Sequence, residues 1–160
     1  MTLEQFTAAA PVGAACVPGA DVAATARSFI GTRWEHQGRS RNGVDCLGLV
    51  LLVAQQHGLT DFDTRDYARQ ATDESMLWQC RKLLLPVDVS QGRPGDIPVM
   101  RFGTNRHIGV FGDYLYGGLS LIHAFSLAPH RVTEHRFSDE FLRHYDAALI
   151  GVFRFPGVTA

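Results

Sequence analysis

The chain has 160 residues, which suits one compact domain with a core of its own. Hydrophobic residues make up 46% of it and charged residues 19%, a balance that excludes an intrinsically disordered chain. The formal net charge is -1 and no long block of lysine and arginine occurs, so charge does not indicate a nucleic-acid partner. The three cysteines, Cys16, Cys46 and Cys80, are widely spaced, which favours free thiols in a reducing compartment over a disulfide framework.

The first twenty residues, MTLEQFTAAAPVGAACVPGA, have no basic start and no continuous apolar segment. This composition predicts an irregular lead-in over residues 1–20, followed by a single domain over residues 21–160, and argues against a secretory signal peptide. The apolar run at residues 47–54 is far shorter than the ~20 residues of a membrane span. We therefore expect synthesis in the cytoplasm, no membrane span, and delivery to any other place by a partner.

Helices are predicted in the first half of the chain from helical spacing of apolar residues, at residues 21–31, 46–58 and 72–85. Asp21 is the expected N-cap of the first. The second, CLGLVLLVAQQHG, is apolar nearly all round for its first two turns, which predicts a buried central helix. In the third predicted helix, Cys80 follows the same helical spacing as Met76, Leu77, Leu83 and Leu84, which predicts that it is a core residue.

The composition changes after residue 96, where short segments rich in Val, Ile and Phe alternate with turn signals such as FGTN and YGG. A short helix, SDEFLRHY, is expected before the last of these segments. The layout predicts an α+β fold in which N-terminal helices pack on a C-terminal antiparallel sheet or half-barrel of about five strands. The predicted strands are IPVMRF, HIGVFGDY, LSLIHAF, HRVTEHRF and ALIGVFRF.

Cys46 opens the predicted central helix, where unpaired backbone N–H groups and the helix dipole favour a thiolate. A nucleophile also needs a base, and the base needs an orienting partner. His107 begins HIGVF and His123 lies within LSLIHAF. If a hairpin around YLYGG sets the two histidines opposite each other, both face one side of the sheet. Cys46, His107 and His123 then form a nucleophile, a general base and an orienter, with the Cys46 N–H at the oxyanion.

Four stretches, GTRWEHQGRSRNGVDCLGLV, RPGDI, RHIGVF and LIHAF, together resemble the NlpC family of papain-like cell-wall cysteine peptidases. They occur in the family's order and cover roughly residues 21 to 155. In that family G-x-D-C-x-G-L-V carries the nucleophile, H-[IV]-G-[IV] carries the base, and a polar residue, commonly His, follows on the next strand. The resemblance implies a papain-like core with Cys46, His107 and His123 as the triad and no metal or organic cofactor.

The resemblance also implies a substrate, the peptidoglycan stem peptide, cut by analogy between γ-D-Glu and the diamino acid. It is greatest with the branch encoded with phage tail modules and gene-transfer particles, whose members are small and lack a signal peptide. Phage tail proteins are therefore expected partners, with the protein in the virion or tail and its action at the bacterial cell wall. A cleft wall formed by Tyr67 and residues 61–66 is implied as well.

Four residues near the cysteine are predicted to bind substrate: Asp45, Trp34, His36 and Arg39. Asp45 is also the expected cap of the central helix, and Arg39 can pair with a stem-peptide carboxylate. Trp34 replaces a tyrosine that is common in the family. Leu47 replaces a common serine which, with the preceding aspartate, helps hold a free amine in some members, so an N-terminal amine requirement is in question.

Alternatives remain open at this point. Cys46 can be a buried, inert thiol, or it can form a zinc site with His107 and His123. The whole protein can be a tail-tip assembly protein that uses the fold for docking, or a papain-like amidase or acyltransferase toxin with another substrate. The remaining histidines are interpreted as surface or strand residues: His57, His130, His135 and His144.

Overall fold

The computed structural model describes residues 16–160, so most of the predicted lead-in lies outside the described residues. Residues 17–20 belong to the first strand and the start of the first helix rather than to an irregular segment. The helices are α1 (Gly19–Arg27), α2 (Cys46–Gln56), α3 (Ser75–Leu83) and α4 (Asp139–His144). The strands are β1 (Val17–Pro18), β2 (Arg39–Ser40), β3 (Gly43–Val44), β4 (Leu85–Val87), β5 (Ile97–Phe102), β6 (Asn105–Ile108), β7 (Val110–Asp113), β8 (Leu119–Ala124), β9 (Val132–Arg136), β10 (Ala147–Arg154) and β11 (Val158–Thr159).

Two antiparallel sheets form the second half of the molecule. One has the order β4-β10-β5-β6 and the other the order β7-β8-β9. The α+β prediction is confirmed, and the five predicted strands are all present. The predicted strand HIGVFGDY is divided at Gly109, so that β6 pairs in the first sheet and β7 in the second.

The predicted helices are present with different ends. α1 begins at Gly19 with Pro18 at the N-cap position, so the prediction of Asp21 as N-cap is wrong, and Asp21 lies in the first turn. α3 ends at Leu83 because Leu85 pairs with β10 as the first residue of β4. No helix in residues 16–160 combines the length and the apolar character that a membrane crossing needs.

The central helix α2 is buried as predicted. Leu49, Val50, Val53 and Ala54 are each at most 2% exposed, and the helix packs against α1, β6 and β8. Burying a Leu or Val side chain completely contributes about 1.5–3 kcal/mol, so this helix is the main anchor of the core. Its N-terminus is thereby held rigidly against β6, where the candidate site lies.

A smaller apolar cluster joins the two sheets and α4. It contains Met100, Leu121 and Phe141, with Phe102 and Tyr145 packed against it. Phe141 belongs to α4, whose N-cap Ser138 accepts a hydrogen bond from the Phe141 N–H at 3.2 Å. This cluster surrounds the histidines of the site described below.

Candidate active site

Cys46 is the first residue of α2. Asp45 precedes it as the N-cap, and its Oδ1 accepts a hydrogen bond from the Gly48 N–H at 2.8 Å. Backbone N–H groups in the first turn of a helix have no partner within the helix. The N–H groups of Cys46 and Leu47, together with that of Ile108 on β6, interact with the Cys46 sulfur. The cysteine therefore lies between the N-terminus of α2 and strand β6.

Burial favours the protonated form of the Cys46 thiol over the thiolate. Burial raises its pKa to about 12, the Asp45 carboxylate adds to the shift, and the backbone N–H groups oppose it without reversing it. The expectation of a thiolate at the helix terminus is therefore wrong for this structure, because desolvation outweighs the N–H groups. Burial also lowers the pKa of His107 to about 4. The pair is a thiol and a neutral imidazole, so His107 has to take the proton as the sulfur attacks.

His107 on β6 and His123 on β8 meet although their strands belong to different sheets. His107 Nε2 lies 2.7 Å from His123 Nδ1, and the two residues are 8% and 0% exposed. Their predicted proximity is confirmed. The predicted register is wrong, because β7 pairs with β8 with Val110 opposite Ile122, and His107 lies before Gly109 on β6.

Gly109 is where the chain passes from one sheet to the other. A Cβ atom at this position would lie 2.8 Å from Leu121 Cδ1 and 3.2 Å from His123 Cβ. It would also lie 2.9 Å from the backbone carbonyl oxygen of Ile122, which is closer than real Cβ atoms approach a backbone atom in a close-packed interior. The missing side chain is therefore what allows β8, with His123, to approach the residue that follows the His107 strand.

A third histidine continues the contact. His135 Nδ1 on β9 lies 2.8 Å from His123 Nε2. The interpretation of His135 as a surface or strand residue missed this role. In the β8–β9 ladder His123 is opposite Thr133 and His135 is opposite Leu121, so the two histidines are diagonal neighbours on one face. That relation depends on the register between the strands, which the sequence pattern leaves undetermined.

The Asp45 carboxylate accepts four hydrogen bonds. Its Oδ1 accepts from Gly48 at 2.8 Å and from Arg39 Nη1 at 3.3 Å. Its Oδ2 accepts from the Gln37 N–H at 2.8 Å and from the Tyr67 hydroxyl at 2.7 Å. Burial and the bond to Asp45 raise the pKa of Tyr67, so its hydroxyl remains a donor. A carboxylate has about four acceptor sites; Asp45 is thus fully engaged, and its predicted role as helix cap is confirmed.

Arg39 lies next to this network, with a side chain only 9% exposed. Its Nε donates to Asp63, and its terminal nitrogens donate to Asp45, to the Tyr67 hydroxyl and to two backbone carbonyls. A guanidinium has five N–H donors, so these contacts use all of them. In this structure Arg39 joins the loop before α2 to the segment around Tyr67.

Trp34 and His36 border the same cleft as Cys46. The His36 ring meets Tyr67 edge-on with centroids 5.7 Å apart, and its Nδ1 lies 4.0 Å from Asp45 Oδ2. The guanidinium of Arg69 lies 4.8 Å from the centroid of the Trp34 ring. The loop before α2 and the segment around Tyr67 thus form one wall together, as the resemblance implied for Tyr67.

The cleft has a volume of about 390 Å³, and Cys46 and His107 both face it. Such a volume is within the roughly 300–1,000 Å³ of ligand pockets. An apolar cavity of about 210 Å³ adjoins it, and both are bordered by Leu47 and Met76. Cys80 lies in that cavity and is 6% exposed, which confirms it as a core residue. Burial raises the pKa of Cys80 to about 12 with no backbone N–H group opposing it.

The zinc alternative is disfavoured by the direction of the ring nitrogens. His123 bonds to His107 through one nitrogen and to His135 through the other, so it has none left for a metal shared with Cys46. Across residues 16–160 no group of three or more His, Cys, Asp or Glu side chains is placed to hold a metal ion. The arrangement fits a nucleophile, a base and an orienting partner instead.

Neither a family model nor a curated protein matches the chain. Solved structures do match. An NlpC/P60 family protein from Bacillus cereus ATCC 10987 is similar over 89% of the chain, with a TM-score of 0.62 and 19% identity. NlpC1 from Trichomonas vaginalis is similar over 97%, with a TM-score of 0.61 and 19% identity.

The chain has the NlpC/P60 fold. The NlpC/p60 domain of the peptidoglycan hydrolase SagA is also similar, with a TM-score of 0.53 and 22% identity over 86% of the chain. The chain spans 41% of the Bacillus protein and 48% of the Trichomonas protein, but it covers 98% of the SagA domain. At these identities the likeness establishes the papain-like NlpC/P60 fold.

Proposed function

We propose that this chain is a cysteine peptidase that hydrolyses an amide bond in peptidoglycan stem peptides. The observation that carries the proposal is the meeting, in one cleft, of Cys46 at a helix N-terminus with His107, whose Nε2 is bonded to the buried His123. A nucleophile, a base that lines the same cleft and a partner that orients the base are the parts that covalent acyl transfer needs. The similarity to the SagA domain, a peptidoglycan hydrolase, supports the substrate class.

The first half of the reaction forms a thioester. Because Nε2 of His107 is bonded to His123, Nδ1 is the nitrogen that takes the proton of the Cys46 thiol. The sulfur attacks the amide carbonyl carbon, and the backbone N–H of Cys46 stabilises the oxyanion. When the carbon–nitrogen bond breaks, His107 returns its proton to the leaving amine, and the acyl group remains on Cys46.

The second half releases the acid. His107 takes a proton from a water molecule, whose oxygen attacks the thioester carbonyl. The carbon–sulfur bond breaks, the sulfur regains a proton from His107, and the products are a free carboxylic acid and the restored thiol. Since burial raises the pKa of Cys46 to about 12, proton transfer and attack have to occur together, and no stored ion pair is needed.

The groups of the cleft wall that bind the substrate are those whose hydrogen-bond donors and acceptors are not already used within the protein. Asp45 and Arg39 have all their acceptors and donors engaged within the protein, so we assign them to holding the wall. Trp34 and His36 face the cleft and contact the stem peptide directly, and Arg69 beside Trp34 pairs with a substrate carboxylate. The bond cut is the one between γ-D-Glu and the diamino acid.

Leu47, next to the nucleophile, has no polar side-chain atom, and Asp45 has no free acceptor for an ammonium group. A free N-terminal amine on the substrate therefore has no partner at this position. We expect stem peptides with an acetylated N-terminus to be cleaved within about threefold of the rate of the free-amine peptides, a difference of well under 1 kcal/mol.

The proposed setting is a phage tail or related particle. One observation favours a second candidate function, in which the fold also docks in tail-tip assembly: Leu115 and Tyr116, in the turn between β7 and β8, are 84% and 82% exposed. Large apolar side chains in such a position are typical of contact surfaces. Docking that survives Cys46→Ala but is lost in Leu115→Ser/Tyr116→Ser would support this second function.

The decisive experiment is a digest of purified stem peptides, with free and acetylated N-termini, read by mass spectrometry. Wild type is compared with Cys46→Ala and with the control Cys16→Ala, which changes an exposed cysteine. We expect cleavage by wild type and Cys16→Ala, and none by Cys46→Ala. Cleavage that persists in Cys46→Ala would overturn the proposal. So would a folded wild-type protein that alkylates at Cys46 and leaves every stem peptide intact.

A further inference from the structure

Three buried or half-buried histidines form a continuous chain that runs from the first sheet into the second: His107, His123 and His135. We call them the histidine chain. Nε2 of His107 meets Nδ1 of His123 at 2.7 Å, and Nε2 of His123 meets Nδ1 of His135 at 2.8 Å. The reaction proposed above uses the first two, and His135 has no part in it. Its side chain lies on β9, one strand further from Cys46.

Neutral imidazoles constrain one another in such a chain. Each ring carries one N–H donor and one bare acceptor nitrogen, so every contact needs a proton on one side only. Protons therefore point along the whole chain in a single direction. Either all run from His107 toward His135, or all run from His135 toward His107.

Only one direction produces a base. If His107 Nε2–H donates to His123, the Nδ1 of His107 is bare and accepts the thiol proton. His123 then carries its proton on Nε2 and donates it to His135, whose Nδ1 has to be the acceptor. In the opposite direction Nδ1 of His107 carries the proton and cannot take another from Cys46. The state of His135 therefore determines whether His107 is competent.

We propose that His135 is a positioning residue, which accepts the Nε2–H of His123 and thereby keeps the Nδ1 of His107 bare for the Cys46 thiol. This inference rests on the proposed function for the use made of His107, but the tautomers it describes exist without a substrate. His135 acts through His123 and touches neither the nucleophile nor the peptide.

Aromatic side chains around His135 fix the position of its ring, with Nδ1 next to Nε2 of His123. Its ring packs against Phe141 with centroids 5.0 Å apart, against Phe125 at 5.5 Å and against Tyr145 at 6.1 Å. Burial lowers its pKa, which favours the neutral ring, and a neutral ring with its proton on Nε2 presents a bare Nδ1 to His123. His123 is 0% exposed, so no solvent molecule replaces His135 as the acceptor without rearrangement.

The test uses two substitutions that differ only in the acceptor. His135→Phe keeps an aromatic ring among Phe125 and Phe141 but removes the accepting nitrogen. His135→Asn places its Oδ1 where Nδ1 of the histidine stands, so the acceptor remains. Both proteins are compared with wild type for folding by thermal unfolding before any other reading is taken.

The primary measurement is the tautomer of His107, read from the ring-nitrogen NMR signals of protein labelled with ¹⁵N-histidine at pH 7. We expect wild type and His135→Asn to show a bare Nδ1 and a protonated Nε2, and His135→Phe to show a mixture. A wild-type spectrum with the proton on Nδ1 of His107 would by itself overturn the proposal, whatever the variants do.

Two activity readings follow. We expect kcat for stem-peptide cleavage to fall about tenfold in His135→Phe with KM little changed, and to return to within about threefold of wild type in His135→Asn. Alkylation of Cys46 by iodoacetamide at pH 7, in a Cys16→Ser background, should fall and recover in the same way. Equal losses in the two variants, or an unchanged His107 tautomer in His135→Phe, would reject the role of His135.

The readings separate this inference from the proposed function. The tautomer and the alkylation rate need no peptide. If both respond to His135 as expected while no stem peptide is cleaved, the substrate assignment fails and the positioning role holds. If stem peptides are cleaved but neither the His107 tautomer nor the alkylation rate changes in His135→Phe, the positioning role fails and the proposed function holds.

Discussion

The two sides of the nucleophile use hydrogen bonds in opposite ways. On one side Asp45, Arg39, Gln37 and Tyr67 form what we call the Asp45 network, in which every acceptor of the carboxylate and every donor of the guanidinium is engaged. On the other side the histidine chain has one proton for each contact, and that proton can lie on either ring. A saturated network resists rearrangement, whereas a chain with one proton per contact has two possible directions, of which only one leaves Nδ1 of His107 bare. Rigidity and proton transfer are thus assigned to different regions.

Substitutions in the histidine chain should mainly lower the rate of peptide cleavage. His123→Ala removes the acceptor that orients His107, and we expect kcat to fall by about 10³- to 10⁴-fold, as when the orienting member of a catalytic triad is lost. His123→Asn is the matched control, because its Oδ1 stands in for Nδ1, and it should retain within about tenfold of wild-type kcat. Steady-state kinetics on a stem peptide measures both. Equal loss in the two variants would mean that His123 acts by packing alone.

Substitutions in the Asp45 network should mainly lower the free energy of unfolding. Asp45→Ala removes the helix cap and leaves the buried Arg39 and Tyr67 without their partner, so we expect the free energy of unfolding to fall by about 3 kcal/mol. Asp63→Asn is the control, because Asp63 is 30% exposed and contacts the same arginine; we expect a loss of about 1 kcal/mol or less. Urea unfolding measures both. A loss in Asp45→Ala as small as that in Asp63→Asn would show that the network contributes little to stability.

Gly109 tests whether the two sheets have to meet closely for the histidine chain to form. In Gly109→Ala the new methyl group would lie 2.8 Å from Leu121 and 2.9 Å from the carbonyl oxygen of Ile122. We expect a destabilisation of about 1–3 kcal/mol and a loss of the bond between His107 and His123. Gly117→Ala is the comparison, because that exposed glycine has a φ of +93° but nothing within 4 Å, so it measures backbone strain without the contact. Calorimetry and histidine NMR of the two variants would separate these effects.

The pH dependence of stability should also distinguish the histidine chain from the Asp45 network. Burial lowers the pKa of His107 from 6.5 to about 4, so between these values the unfolded chain binds a proton that the folded protein does not. The free energy of unfolding should therefore fall as the pH is lowered from 6.5 to 4, by up to about 1.4 kcal/mol per pH unit for this histidine.

The measurement is urea unfolding of wild type and His107→Gln at pH 7 and pH 5. Carboxylate titration is common to both proteins and cancels in the difference between them. Wild type should lose more stability than His107→Gln over this interval. A parallel loss in the two proteins would show that His107 is not the buried neutral group described above.

Much of the site could be predicted from local patterns in the sequence. A cysteine before a long apolar run, with an aspartate in front of it, indicates a capped and buried helix, and Asp45 and α2 confirm this. Residues His107 and His123 were predicted to meet because each lies in a short β-rich segment near one turn. These inferences depend on short segments and on the turn that joins neighbouring strands, where the physics of helices and turns is local.

Other features were decided by tertiary structure. The chain is interrupted at Gly109, so that β6 pairs in the first sheet and β7 in the second. The register between β8 and β9 places His135 beside His123. The thiol of Cys46 is protonated because the folded core removes water from it, against the local preference of the helix terminus. Sequence alone determined which residue types stand at helix starts and on strands. Strand register, burial and the partners of a buried ring depend on segments far apart in the chain, and only the packed fold brings those segments together.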